Sequence, residues 1–524
     1  MATIGKNILE NLTTGMYSDS KVTYREYIQN ACDQIDKAVS LGILTPDSAE
    51  VAITIDENNR NISIEDNATG VKKNLFESQL GDIANSDKKL GEDKGFRGIG
   101  RLCGLAYCET LIFTTSFKGE PIKSIMKFDA KKMRRMIASA EKYTVDDIWA
   151  EIMNTYYEKE DAEEHYFRVD MEKINEENTD LLDSKKVREY LCFVAPVQYT
   201  NKFMLRNQIY KHAEQVGYKI DEYRIRVNGA ELFKEYSKNL YEGSGPSRKI
   251  YDTIFELEFK DFFDEKNRLI AWMWYGLCRF EKAIPKLANP MYGLRLRQGN
   301  IQIGDNTVVA DLFKEDRGNS YYVGEIFAVD RQLIPNSQRN YFNENETRID
   351  FENKLRLYFC DKLHKLYHDA SVTRNDYKRL EKFNAAVSTL AEKQEHGFVD
   401  EAEKTRLTDA VAAAEKEKDE AQKRLERSES PDNTKERTPT QKVQDRIKQK
   451  YKSKNVPEEA EKAKAKAREL EGKEGEKTTY FTDNLSKLDK KQRKLVSRIM
   501  AIVKRVAQED VAAKIQSEIE REFK

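Results

Sequence analysis

Three short stretches, in a fixed order, restrict what this chain can fold into. Ile62–Gly70, Ile-Ser-Ile-Glu-Asp-Asn-Ala-Thr-Gly, alternates as a strand and ends in an acidic, glycine-containing turn. Upstream, Glu26, Asn30 and Asp33 are spaced by four and three, which puts them on one narrow face of a helix. Downstream, Gly95-Phe96-Arg97-Gly98-Ile99-Gly100 precedes a helical pattern at Arg101–Tyr107. Glycines ahead of a helix N-terminus let backbone N–H groups face an anion, and the helix dipole adds to that attraction. A carboxylate at the strand end, Asp66, can accept a hydrogen bond from the exocyclic amine of adenine. Gly70 lets the backbone come close to a flat ring. Alone, each piece has a bland meaning: a solvated stripe, an ordinary turn, a common glycine triplet. Together and in this order they read as an ATP site.

The flanking pattern supports that placement. A helix is expected from Asp19 or Ser20, either of which can cap it, to about Ser40, with Gly42 as the stop. Val51–Ile55 and Ile62–Glu65 alternate as paired strands around a polar turn. Leu75–Ile83 is helical in pattern, and Ala84–Lys94, with Ser86, Lys88 and Gly91, has the composition of a mobile lid. Lys118–Glu164 reads as an insertion plus a helix, His165–Met171 as a closing strand, and Asn175–Ser184 as a polar boundary.

The 524 residues are too many for one core. The expectation is an α+β protein: an α/β sandwich over residues 1–179, a second α+β domain over 180–373, a helical hairpin or coiled coil over 374–430, a charged linker over 431–480, and a helical end over 481–524. The hairpin rests on Leu407, Val411, Ala414, Lys418, Ala421 and Leu425, which step as a heptad seam, and on the break at Glu395-His396-Gly397. Lys442–Lys454 is basic with one aromatic, Tyr451, and reads as a solvated charge run or a phosphate-backbone contact. Pro457–Gly475 alternates Glu and Lys and reads as solvated helix or disorder. Leu485–Phe523 reads as a closing helix whose stripe of Leu495, Ile499, Ile502 and Val506 is a dimerisation candidate. A formal net charge of −1 argues against a uniformly basic nucleic-acid binder. The six cysteines lack C-x-x-C spacing and read as reduced thiols, not zinc ligands. With no long apolar run, a cytoplasmic protein without a membrane span is expected.

From Glu26 to Thr115 the sequence resembles the GHKL ATPases: DNA gyrase B, heat-shock protein ninety, MutL/MORC and sensor histidine kinases. Glu26-Tyr-Ile-Gln-Asn30 is similar to their N-box. Asp66-Asn-Ala68-Thr-Gly70 is similar to their first glycine box, with alanine at its middle position. Gly95-Phe96-Arg97-Gly98 is close to MutL's second glycine box, and Gly98-Ile99-Gly100 to that of the chaperones. The resemblance implies a Bergerat-type ATP-binding sandwich with ATP and Mg2+ as ligands. Glu26 would orient and deprotonate the attacking water, Asn30 would ligate magnesium with Asp33 nearby, Asp66 would read adenine, and Gly95–Gly100 would hold the β- and γ-phosphates. Gln79 stands where the chaperones carry asparagine, and Lys88 is positioned to replace their phosphate-contacting lysine. The family's strand threonine near adenine has no match in His165–Met171. Asn336-Ser-Gln-Arg339 resembles the second-domain loop whose arginine, here Arg339, reaches the ATP site; the competing reading is a surface arginine after a turn.

The function expected is an ATP-gated homodimeric clamp acting on DNA, of the MutL/MORC type, in repair, chromosome or phage-defence work with a partner nuclease or effector. The alternative is a heat-shock-like chaperone clamping protein clients. A histidine kinase is disfavoured, because the chain has no phosphoacceptor histidine in the usual setting.

Overall fold

The computed structural model describes residues 4–13, 15, 19–82, 100–428, 437–472 and 478–524. Its strands are β1 (Val51–Asp56), β2 (Asn61–Asp66), β3 (Cys108–Ser116), β4 (Ile122–Asp129), β5 (Met153–Lys159), β6 (Tyr166–Ile174), β7 (Ile225–Val227), β8 (Ala230–Glu231), β9 (Asn239–Glu242), β10 (Lys249–Thr253), β11 (Glu256–Phe263), β12 (Leu269–Leu277), β13 (Gly293–Gln298), β14 (Ile301–Ile303) and β15 (Val323–Ala328). The helices are α1 (Asn7–Leu12), α2 (Val22–Ser40), α3 (Lys73–Gly81), α4 (Ala130–Ala138), α5 (Val145–Ile152), α6 (Ser184–Val194), α7 (Arg206–Gln215), α8 (Glu346–Tyr358), α9 (His364–His396), α10 (Glu401–Ser428), α11 (Pro439–Lys452), α12 (Val456–Gly472), α13 (Lys490–Val506) and α14 (Glu509–Phe523). The class is α+β, as the sequence indicates. No helix among the described residues is long and apolar enough to cross a membrane.

The chain makes two units, residues 1–278 with 282–364, and residues 279–281 with 365–524. In the first, an eight-stranded sheet runs β5-β4-β3-β6-β2-β1-β7-β8. β2 alternates because one face is buried: Ile62, Ile64 and Asp66 point inward, and Ser63 and Glu65 outward. The antiparallel register sets Asp66 beside Phe167 of β6, and Phe167 beside Thr115 of β3, so these three share one row on one face. The next row is Ile64, Val169 and Phe113, which is core. α2 packs across this sheet through Tyr24, Ile28, Ala31, Cys32 and Ile35, all buried. β7 pairs parallel with β1, so the sheet continues past residue 179. A five-stranded sheet, β11-β12-β15-β13-β14, follows in the same unit.

Several local expectations change. α2 begins one residue later than its supposed caps: Lys21 is the N-cap residue and makes no side-chain capping bond. Asp19 accepts from the Lys21 N–H at 3.0 Å, and Ser20 donates to Asp180 at 2.5 Å, so both side chains are spent elsewhere. Gly100–Ala106 is a 3-10 helix. Lys118–Glu164 holds two strands and two helices, β4, α4, α5 and β5. The second unit corrects the charged linker. α11 buries Val443, Ile447 and Tyr451, and the Tyr451 ring stacks on Tyr377 at 4.6 Å. α12 buries Ala463, Ala467 and Leu470 in the core shared with Phe383, Val387, Leu390, Val411 and Ala414. Small residues recurring along an otherwise charged helix are what lets it lie close to a neighbour, and a reading of its charges alone misses them. The closing segment is two helices, α13 and α14, broken at Ala507-Gln508.

Candidate active site

α2 is the helix that carries the site. Its polar residues Glu26, Gln29 and Asp33 are buried beside its apolar ones, and Asn30 is half-buried. A buried carboxylate needs a compensating charge or hydrogen bond, and Glu26 has both. Arg25 Nη2 lies 3.3 Å from Glu26 Oε1, and Arg339 Nε lies 3.5 Å from the same oxygen. Arg25 Nη2 also donates to the Gln338 carbonyl at 3.1 Å. The loop at Gln338-Arg339 is therefore held against α2 through both side chain and backbone.

The loop is built to deliver that side chain. Arg339 has a φ of +52°, a left-handed conformation that costs a residue with a Cβ about 1 kcal/mol. Its N–H donates to Asn336 at 3.1 Å and its carbonyl accepts from Gly304 at 2.9 Å, so the turn is fixed at both ends.

The other side of Glu26 meets the end of the glycine segment. A Cβ on Gly100 would stand 2.7 Å from Glu26 Oε2, so only glycine leaves the carboxylate where it is. The 3-10 turn that follows is pinned to α2 by Tyr27, whose hydroxyl donates to the Arg101 carbonyl at 3.0 Å and accepts from Gly104 N–H at 3.1 Å. Arg101 donates to the Asp82 carbonyl at the end of α3. Burial lowers the Arg101 guanidinium to about 10. Burial, with Glu26 nearby, pushes the Cys103 thiol far above its usual range, which leaves it protonated and inert.

Asp66 is 4% exposed and forms the head of a tight turn. One of its oxygens accepts the Ala68 N–H at 3.0 Å. Asn67 anchors the turn by accepting from Glu50 N–H at 2.9 Å and donating to Ser48. Gly70 has a φ of +64°, and a Cβ there would overlap the Ser116 carbonyl. Sequence reasoning missed Thr115. Its hydroxyl is buried, accepts from Val71 N–H at 2.9 Å and donates to Tyr166 at 2.7 Å. It shares a row with Asp66 across β6. His165, just before β6, holds the Ala68 carbonyl at 2.7 Å through Nδ1. Strand pairing, which is not readable from one strand, was the missing signal.

The structure thus brings Glu26, Arg339 and Gly100 together, and sets Asp66 and Gly70 in one turn on the sheet beneath α2. Gln79 is half-buried near the end of α3. Lys88, Gly95, Phe96, Arg97, Gly98 and Ile99, with the expected lid, lie outside the described residues. Among the described residues no cluster of three His, Cys, Asp or Glu side chains could hold a metal. A single amide such as Asn30 suits magnesium, which keeps most of its shell from water and phosphate oxygens.

Residues 20–184 match the family model described as histidine kinase-, DNA gyrase B-, and HSP90-like ATPase. The chain is similar to the protein named Chaperone protein HtpG of Escherichia coli O1:K1 / APEC, at 22% identity over 285 residues, which covers 51% of this chain and 40% of that protein. It is similar to the HtpG of Enterobacter sp. (strain 638), at 26% over 161 residues, 27% of this chain and 25% of that one. With the HtpG of Halalkalibacterium halodurans it shares 30% over 131 residues, 22% and 21% of the two chains. The chain therefore spans no more than about two fifths of the length of these relatives.

Proposed function

We propose that this chain, whose residues 20–184 are a histidine kinase-, DNA gyrase B-, and HSP90-like ATPase domain, binds and hydrolyses ATP as a clamp that closes on a protein client. The observation that carries the reading is the approach of Arg339 to Glu26 at 3.5 Å, from a loop far along the chain. Phosphoryl transfer needs positioning and neutralised charge more than covalent work. Asp66 accepts the adenine amine over a floor that includes Thr115. Gly70 lets the ring lie close. Gly95–Gly100 carry the glycine pattern expected to hold the phosphates, and Asn30 would hold the magnesium that accompanies them. Glu26 orients the attacking water and takes its proton. Arg339 serves a different partner in each state: Glu26 before nucleotide binds, the γ-phosphate once it has. Its departure frees the carboxylate to act as base.

The client reading rests on the relatives, each named a chaperone and one spanning about half of this chain. The DNA-clamp expectation rests on the helical hairpin and on Lys442–Lys454, whose Tyr451 is committed to a ring stack inside its own unit. A homodimer is the arrangement in which such a clamp would close. ATP turnover of the full chain, measured with duplex DNA and separately with a chemically unfolded model protein, tests the choice. Stimulation by the unfolded protein alone is expected; stimulation by DNA alone would replace the chaperone reading with the DNA clamp. Absence of any turnover in the wild type, with Glu26→Ala indistinguishable, would remove the ATPase reading itself.

A further inference from the structure

α13 has two apolar faces, and the fold uses one. Val496, Met500 and Val503 turn inward onto Val399, Phe481 and Leu485. Ser497 donates to the Val399 carbonyl at 2.5 Å, and Lys504 pairs with Glu403, which fixes the helix in rotation. On the adjoining face, about a quarter-turn around the helix, Leu495, Ile499, Ile502 and Val506 are 59, 47, 52 and 83% exposed. Their spacing of four, three and four is that of alternating d and a positions, so they form one straight seam. A helix already anchored by a core face gains nothing in folding from a second seam of aliphatics in water, and contiguous exposed apolar surface marks interaction sites.

The charges beside the seam select its occupant. With Leu495 and Ile502 at d, the g positions are Lys491, Arg498 and Arg505, all exposed, and residues 490–506 contain no Asp or Glu. The e positions are Val496 and Val503, which face inward. Two copies packed antiparallel through this seam would set g against g, three cations against three. Packed in parallel they would set those cations against half-buried valines. Either way the pair gains no salt bridge, and like charges across a seam work against it. A phosphate backbone would neutralise the cations and leave the aliphatics in water. A lipid surface would take the aliphatics but has no use for heptad register.

We propose that this face of α13 docks an acidic helix of another protein, apolar at its a and d positions and carrying Glu or Asp opposite Lys491, Arg498 and Arg505. The proposal stands independently of the ATPase reading. Where the sequence alone makes the stripe a dimerisation candidate, the flanking charge points to a heterotypic pair.

The test uses the full chain and two labelled four-heptad peptides with Ile at a and Leu at d, one carrying Glu at e and g, the other Lys. Fluorescence anisotropy should show binding of the Glu peptide, weakening as salt rises, and none of the Lys peptide. Ile499→Asp with Ile502→Asp changes exposed side chains, so the melting temperature should hold while binding is lost. Lys491→Glu, Arg498→Glu and Arg505→Glu together should weaken the Glu peptide about tenfold, the product of three exposed pairs worth roughly two- to threefold each, and admit the Lys peptide. Equal binding of both peptides, or of neither, overturns the proposal. So does light scattering in which the double Asp variant splits a dimer, which assigns the seam to a second copy. Pelleting with phosphatidylglycerol vesicles that the double variant abolishes, without peptide binding, assigns it to lipid and overturns the proposal too.

Discussion

Arg339 Nε lies 3.5 Å from Glu26 Oε1 in a setting where both side chains are about nine-tenths buried. Arg25, 4% exposed, shares that oxygen at 3.3 Å. One carboxylate thus sits between two guanidinium groups, and removing it should take a neighbouring negative charge from each. Glu26→Ala should lose turnover by about 10²–10⁴-fold, the usual contribution of a general base. It should also melt earlier than wild type without nucleotide, because two buried cations then face each other. Arg339→Ala should keep nucleotide affinity near normal and lower turnover by about 10²-fold, since the charge counts most in the closed state. Calorimetric titration with ATP alongside a turnover assay separates the two effects. An Arg339→Ala protein of normal rate would show that the pair serves only to hold the loop.

Asp66→Asn should abolish ATP binding while leaving the fold intact. The Asn oxygen still accepts the Ala68 N–H that shapes the turn, but its amide presents adenine with a donor where an acceptor is required. Unchanged affinity by calorimetry, with an unchanged melting curve, would reduce Asp66 to a turn residue.

Two glycines should respond in opposite ways. Gly70→Ala puts a Cβ into the Ser116 backbone carbonyl at a positive φ, so the sheet end must move and stability should fall by about 2 kcal/mol or more. Gly100→Ala meets only the far end of the Glu26 side chain, which can swing aside. That variant should melt near wild type yet turn over ATP poorly, because the displaced carboxylate no longer holds the water. Equal losses of stability in the two variants would contradict this division.

The placement of the candidate residues was legible in the sequence where the signal is local. The spacing of Glu26, Asn30 and Asp33 needs only a helix, and Asp66 to Gly70 only a strand and a turn. What was hidden depends on pairing between distant segments. Thr115 joins the row of Asp66 only through β6. Arg25 reads as one more charge on a helix until Gln338 is placed beside it. The same holds for α11 and α12, where charge dominates the composition and the packing contacts fall on Ala and Tyr.

The last case of hidden pairing is a carboxylate with no solvent contact. Glu325 of β15 accepts hydrogen bonds from Arg297, Lys234, Tyr199, Tyr236 and Trp274. These cations hold it down at about 2 against the burial that would raise it. Arg297 alone neutralises it, and also donates to the Phe193 carbonyl at 2.6 Å. Lys234 is a second cation for one charge, and burial together with Arg297 lowers it to about 7, with Glu325 and Glu222 opposing. An unfolded lysine titrates near ~10.4, so between about pH 7 and 10 the unfolded chain binds the extra proton. Stability from this group therefore rises with pH across that window, whereas the Glu325 contribution is complete above the ordinary carboxylate range and fades as pH falls toward 2. Lys234→Met should remove the rise and leave Glu325 with four donors, at a net change in stability at pH 7 within about 1 kcal/mol of zero or favourable. Glu325→Gln, by contrast, strands the buried Arg297 guanidinium and should be destabilising by about 3–5 kcal/mol. Urea unfolding at pH 7 and pH 9 reads both: wild type should gain up to about 2 kcal/mol over Lys234→Met between the two pH values. Parallel slopes for wild type and Lys234→Met would mean that the lysine stays charged in the folded protein, and that Glu325 carries both cations at neutral pH.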